Sequence, residues 1–149
     1  PLVGPAAPFS AVRAEGPVEM PDAEYPLMLT TGRRLESYNT GVQSSGYSSP
    51  RRREETVDLS PEDASRLGVR DGDAVRVISR RGIVQAPARV ETAMRPGLVF
   101  MTMHFPDDVD TNRLTIDATD PRSGTAEFKA CAVRVEPVGV REPALVPGD

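Results

Sequence analysis

Proline is the feature that most constrains this chain. It has 15 prolines in 149 residues, and six of them (Pro1, Pro5, Pro8, Pro17, Pro21 and Pro26) crowd into the first 26 positions. Each fixes φ, removes a backbone donor and pushes the preceding residue out of the helical region. No long helix or strand fits there, so the start reads as an extended lead-in that packs across a surface in the intact parent protein. Three more prolines fall between Pro137 and Asp149, where no apolar period survives. The reading is a lead-in over 1–24, a folded core over 25–136 and a tail over 137–149. A chain that opens on Pro1 rather than Met is expected to be a piece of a longer protein.

Within the core, short apolar runs alternate with turn signals. Leu27-Met28-Leu29-Thr30-Thr31, closed by Gly32, predicts a buried strand entering a loop. Thr56-Val57-Asp58-Leu59 predicts a short alternating strand. Ser60 suits an N-cap, Pro61 the first helical position and Gly68 a left-handed stop, so a short helix is expected over 61–67. Strands are predicted at Ala74–Ile78, at Ile83–Val90 after the Arg81-Gly82 turn, and at Leu98–Met103. Pro87 points to an edge or a bulge. Alternation over Phe128–Glu136 predicts a closing strand with Cys131, Val133 and Val135 facing the core. Six or seven short strands with one or two short helices make a mainly β chain folded as a small barrel.

Composition limits the function. Aromatics are 5% and Trp is absent, so the core must rest on aliphatic residues. The net charge of −4 argues against general nucleic-acid binding through a basic field. No apolar run approaches the ~18 residues of a membrane span, so direct membrane insertion is not expected. One cysteine rules out an internal disulfide, a zinc ribbon and a complete iron–sulfur site, and fits a reduced, cytoplasmic setting. His104 is the one histidine and no nucleophile elbow accompanies it, so an independent hydrolase is disfavoured. Cys131, mid-strand on the apolar face, reads as a small buried hydrophobe. Asp107, Asp108 and Asp110 lack the spacing of a calcium loop and read as a solvated loop. Arg51-Arg52-Arg53-Glu54-Glu55 reads as a solvated charged segment because its acids offset its bases. No residue of this chain is expected to be catalytic or to bind a metal.

What remains is a set of polar loops at strand ends. Gly32 lets backbone N–H groups approach an anion, and Arg33 can grip phosphate with two parallel donors. Asn39-Thr40-Gly41 supplies small donors and acceptors. His104-Phe105, Asn112 and Glu127-Phe128-Lys129 complete a set suited to a large, flat, phosphate-bearing ligand. Lys129 is the one lysine among 18 basic residues.

These stretches carry a family resemblance. Pro26-Leu27-Met28-Leu29-Thr30-Thr31-Gly32-Arg33 resembles the opening of the molybdopterin-dinucleotide-binding domain that closes the large subunit of the dimethyl sulfoxide reductase family. Val99 to Phe105, Asn112 to Thr115, Asp120-Pro121 and Glu127 to Val135 are similar to the C-terminal domain of formate dehydrogenase alpha subunits. Val57 to Ala64 and Gly72 to Val77 resemble the core of a double-psi β-barrel. The resemblance covers about 22–137 and implies a six-stranded double-psi β-barrel with short helical insertions. It implies binding of molybdopterin guanine dinucleotide, with molybdenum or tungsten ligated outside this chain. Thr31, Gly32 and Arg33 would approach one dinucleotide arm, with Ser37, Asn39 and Thr40 nearby. His104, Phe105, Asn112, Phe128 and Lys129 would line the pterin side. The implied activity of the parent is oxidation of formate to carbon dioxide. The implied partners are the preceding domains of the large subunit and iron–sulfur or NAD-reducing electron-transfer subunits. A nitrate reductase of the same family, or a free-standing barrel acting as a binding module, stays open as an alternative.

Overall fold

A computed structural model describes residues 9, 11, 13–34 and 55–139. Its strands are β1 (Leu27–Gly32), β2 (Val57–Leu59), β3 (Ala74–Ile78), β4 (Ile83–Val90), β5 (Leu98–Thr102) and β6 (Cys131–Pro137). They close into one barrel in the order β1-β5-β2-β4-β3-β6. The expected mainly β, six-stranded barrel is therefore the fold. Two of its pairings are parallel, β1 with β5 and β2 with β4, and the rest are antiparallel. Strand direction then sorts the ends. One rim collects the C-terminal ends of β1, β3 and β5 with the N-terminal ends of β2, β4 and β6. The other rim collects the opposite ends.

Alternation builds the core. Leu27, Leu29, Val57, Leu59, Val75, Val77, Val99, Met101, Cys131 and Val133 point inward and are fully buried or nearly so. Aliphatic residues of this kind fill a narrow barrel without polar atoms to satisfy. Leu114, from the loop after β5, is also fully buried and joins that core. It follows a single 3-10 turn at Thr111–Arg113.

Helix α1 (Pro61–Leu67) forms where the caps predict. The Ser60 side chain accepts from the Asp63 N–H, Pro61 starts the helix, and Gly68 ends it at φ 67° with its N–H on the last carbonyls. Among the described residues it is the one α-helix, and no helix is long and apolar enough to cross a membrane.

Four expectations need correction. Pro87 marks neither an edge nor a bulge, because the barrel is closed. It is the last residue of β4 paired with β3, and β4 passes to β2 at Ala88, so the missing donor falls at the handover. Phe128–Ala130 are not strand, since β6 begins at Cys131 opposite Leu29. There the ladder gives way to bonds between Thr31 and residues 128–129. Asp58 is not a solvent-facing residue of an alternating strand, for it is 5% exposed. Glu55 is not part of a solvated segment, for it is 2% exposed; the other residues of that segment, 51–54, lie outside the described residues.

Described residues of the lead-in have no helix or strand, as their prolines require. They nevertheless cover the outer face of β3 and β6. Tyr25 packs on Ile78 and Ala132 as a second small apolar cluster. The Glu19 carboxylate accepts from the Ala132 N–H at 2.9 Å, from Arg80 at 2.8 Å and from Arg81 at 2.6 Å. The Arg81 bond is the main reason the Glu19 carboxyl sits at about 2, well below its usual 4.5, against the opposing effect of burial.

Candidate functional site

The candidate residues converge on the rim formed by the C-terminal ends of β1 and β5. Parallel pairing of those strands places Thr31 opposite Met101 and Gly32 opposite Thr102. The loops that leave both strands therefore emerge side by side. The antiparallel partner β6 brings Phe128 and Lys129 to the same place from the other direction.

Thr31 is tied twice to that approaching segment. Its Oγ1 donates to the Phe128 carbonyl at 2.7 Å, and its own carbonyl accepts from Lys129 Nζ at 2.8 Å. The Lys129 ammonium also lies 5.2 Å from the centre of the Phe128 ring. Gly32 has little room for a side chain: a Cβ there would meet the edge of the Phe100 ring at 2.7 Å. Arg33 is exposed, and Arg34 is partly buried.

Arg34 turns back over the outer face of β2 and β5. Its Nη2 donates to both carboxylate oxygens of Asp58 and to Thr56 Oγ1, each at 2.7 Å. Its guanidinium lies 5.9 Å from the Phe100 ring centre. Asp58 also receives the Thr56 hydroxyl at 2.7 Å, so the buried carboxylate is satisfied. This is why the middle residue of β2 can be acidic.

His104 is 1% exposed and does not stand open on the rim. Its Nε2 accepts the Arg34 backbone N–H at 3.0 Å, joining the loop after β5 to the loop after β1. Its ring meets Phe105 edge-on, with centroids 6.2 Å apart. Glu55 underlies both residues. One carboxylate oxygen accepts the N–H groups of His104 at 2.9 Å and Phe105 at 3.1 Å, and the other accepts the Thr102 hydroxyl. Thr111 Oγ1 closes the turn from the far side by donating to the Thr102 carbonyl at 2.7 Å.

Asn112 is exposed in the 3-10 turn beside Thr111, with its carbonyl accepting the Thr115 hydroxyl at 3.0 Å. Ser37, Asn39 and Thr40 lie outside the described residues. The rim thus brings together Thr31, Gly32, Arg33, His104, Phe105, Phe128 and Lys129, and carries Asn112 on its neighbouring loop. The sequence reading missed Glu55, Arg34, Asp58 and Thr102. An acidic residue directly before the strand signal Thr56-Val57 is the available sign for Glu55, but its partners are 47–50 residues away.

A cleft of about 410 Å³ runs from the lead-in at Glu15–Pro17 to the loop 120–130, with Lys129 in its wall. Cys131 is buried and its Sγ accepts the Ile116 N–H at 3.3 Å. Burial pushes its thiol up, so it is a packing residue rather than a nucleophile. Among the described residues, no group of three His, Cys, Asp or Glu could hold a metal, and no buried side-chain N or O lacks a partner. Chemistry available to a ligand therefore comes from the outer layer: the Arg33 and Lys129 cations, the Asn112 amide and the half-buried Phe128 ring. Cations, amide donors and a flat apolar face suit a phosphate-bearing, planar group. The buried layer of Glu55, His104, Arg34 and Asp58 holds the loops that present them.

The comparisons with known proteins agree with that fit. The model of the Molydopterin dinucleotide binding domain matches residues 27–132. The F420-dependent formate dehydrogenase 2 subunit alpha of Methanococcus maripaludis is 44% identical over 132 residues, 87% of this chain and 19% of its own length. The nitrate reductase of Symbiobacterium thermophilum is 46% identical over 127 residues, 80% of this chain and 17% of its own length. The periplasmic nitrate reductase of Desulfovibrio desulfuricans is 40% identical over 124 residues, 82% of this chain and 16% of its own length. Among solved structures, acetylene hydratase from Pelobacter acetylenicus matches with a TM-score of 0.55 at 16% identity, over 75% of this chain and 18% of that one, which is a likeness of fold. The chain spans less than a fifth of the length of these relatives. On its barrel, its rim and the match across 27–132, the chain belongs to the molybdopterin dinucleotide-binding domain family.

Proposed function

We propose that this chain is the cofactor-binding C-terminal domain of a molybdenum or tungsten formate dehydrogenase alpha subunit, which oxidises formate to carbon dioxide. The observation that carries this reading is 44% identity to a formate dehydrogenase alpha subunit over 87% of the chain. Molybdopterin guanine dinucleotide would supply the two-electron redox chemistry at its metal, which is ligated outside this chain. The chain's own part is to bind and orient. Arg33 and Lys129 offset phosphate charge, Asn112 donates and accepts through its amide, and Phe128 offers a flat face. Gly32 keeps the end of β1 thin beside Phe100. Thr31 holds Lys129 in place through its carbonyl, and His104 and Phe105 shape the turn behind them. Ser37, Asn39 and Thr40 are assigned to the same dinucleotide arm from their motif position. None of these residues is assigned a bond-making step.

The same reading divides the chain into a lead-in over 1–24, the barrel over 25–136 and a tail over 137–149. The two parallel strand pairs support the double-psi form of the barrel. Preceding domains of the large subunit would close the rest of the site, with iron–sulfur or NAD-reducing subunits taking the electrons in the cytoplasm. Held by one domain of several, the dinucleotide would bind the isolated barrel weakly, because the full ordering cost falls on part of the contacts.

Nitrate reduction is the second reading, favoured by 46% identity to a nitrate reductase over 80% of the chain. The test is dye-linked turnover of the purified full-length subunit. Formate-dependent reduction of oxidised viologen is expected. Nitrate-dependent oxidation of reduced viologen, with no response to formate, would overturn the formate assignment and leave the cofactor assignment standing.

A further inference from the structure

Two loops present the outer layer of the rim, and among the described residues the His104 side chain joins them. The loop after β1 begins at Arg33 and Arg34. The loop after β5 begins at Met103 and His104. Strand pairing ends at Gly32 and Thr102, so backbone ladder bonds no longer hold the two loops together. Just past that point, the Arg34 N–H donates to His104 Nε2 at 3.0 Å. A nitrogen that accepts carries no hydrogen, so the ring hydrogen of His104 sits on Nδ1. The imidazole therefore does the work of the next ladder bond between diverging strands.

Glu55 holds that imidazole in register. Its carboxylate takes the His104 and Phe105 N–H groups and the Thr102 hydroxyl, wrapping residues 102–105 around one buried anion. The carboxylate and the ring are 2% and 1% exposed. Buried, mutually satisfied polar groups of this kind rigidify the segment they hold. Neither residue is open to a ligand, but each fixes a loop that is.

We propose that His104 and Glu55 are positioning residues for the dinucleotide site. His104, through Nε2, clasps the loop carrying Arg33 to the loop after β5, and Glu55 sets the turn that aims the imidazole. This revises the assignment of His104 to the pterin-lining surface. It rests on the reading of this rim as the dinucleotide-holding end. The consequence is a dependence on one atom position rather than on imidazole itself. A glutamine places its carbonyl oxygen near where Nε2 lies and can accept the same N–H. An asparagine reaches only to the neighbourhood of Nδ1 and cannot.

The test uses the full-length, cofactor-loaded subunit with His104→Gln, His104→Asn and Glu55→Gln. Two quantities are read: amide hydrogen exchange of the segment Gly32–Arg34, and the rate at which guanine dinucleotide is lost on dilution. His104→Gln is expected to match the parent in both. His104→Asn is expected to exchange faster at Arg34 and to lose dinucleotide on the order of tenfold faster, the worth of one hydrogen bond. Glu55→Gln should move both readouts in the same direction. A core variant on the opposite side of the barrel, Val75→Ala, controls for general loosening. Unchanged exchange at Arg34 in His104→Asn would overturn the clasp. Dinucleotide loss no faster than in Val75→Ala would also overturn the proposal. Faster exchange at Arg34 with unchanged dinucleotide retention would overturn the positioning role, and would fault the placement of the cofactor at this rim instead of the clasp.

Discussion

Glu55 and Asp63 are both carboxylates, both 2% exposed, and they sit at opposite ends of the same barrel. Asp63 is served mainly by its neighbours. Ser60 Oγ donates to it at 2.8 Å, Arg66 Nη2 at 2.5 Å and the Gly97 N–H at 2.7 Å. Burial pushes its carboxyl up, but these donors outweigh burial and hold it below the usual range. Its task is to hold the Ser60 cap of α1 and fasten the turn before β5. Glu55 is served wholly by residues far along the chain, Thr102, His104 and Phe105. Its task is to shape the functional rim. The difference teaches that one chemical device, a buried anion ringed by donors, can finish a local element or join distant ones. The sequence separation of most of the donors separates the two uses.

Removing each anion sharpens the comparison. Glu55→Ala strands three donors in a packed turn and should cost about 3–5 kcal/mol of stability, read from urea unfolding. A cost below about 1 kcal/mol would mean that the turn relaxes and rehydrates, and the parallel between the two carboxylates would fail. Asp63→Ala should cost about 2 kcal/mol, since it loses the Ser60 hydroxyl bond and the Gly97 contact, while the Arg66 and Gly97 donors it leaves are partly exposed and can rehydrate. If it cost more than Glu55→Ala, the local site would be the stronger fastening and the ranking would invert.

Acid unfolding tests how the lead-in is fastened. The Glu19 carboxyl is lowered in the folded state, from 4.5 to about 2. A group depressed on folding contributes its stability in full above its unfolded value and loses it as pH falls toward the folded one. Stability should therefore decline between about pH 4.5 and pH 2, and Glu19→Gln should flatten that part of the urea-midpoint profile. Asp63 works in the same direction below its ordinary 3.8. A Glu19→Gln profile as steep as the parent's would show that the lead-in is not fastened there. Lys129→Ala should have the smallest effect on the fold, under about 1 kcal/mol, because it gives up a single bond to the Thr31 carbonyl at a partly exposed position. In the full-length subunit the same change should lower dinucleotide retention, and normal metal content with normal turnover would remove Lys129 from the site.

Legibility followed the same division. Ser60, Pro61 and Gly68 announce α1 because a cap needs residues within one helical turn. The strands Ala74–Ile78 and Ile83–Val90 and their turn are equally plain, since alternation and a Gly-containing turn are local patterns. Thr31, Gly32, Arg33, Phe128 and Lys129 could be proposed as site residues because they flank apolar runs. Asp58 could not be read as buried, because its cover comes from Arg34 across a gap of 24 residues. The closing strand was drawn too early for a related reason. Alternation continues through Phe128–Ala130, but Thr31 of β1 meets residues 128 and 129 through side-chain bonds in place of ladder bonds.

By itself the sequence determined which segments are strands, where the helix starts and stops, and which aliphatic faces turn inward, since each depends on residues a few positions apart. It also carried the motifs that mark the family. The tertiary structure alone decided the order of strands round the barrel, and with it which strand ends share a rim. It decided that Glu55 would be a buried anchor and not a solvated charge, and that the His104 ring would be buried with its Nε2 accepting the Arg34 N–H. Burial and hydrogen bonding depend on what closes over a residue, and here the covering groups come from strands joined only when the barrel closes.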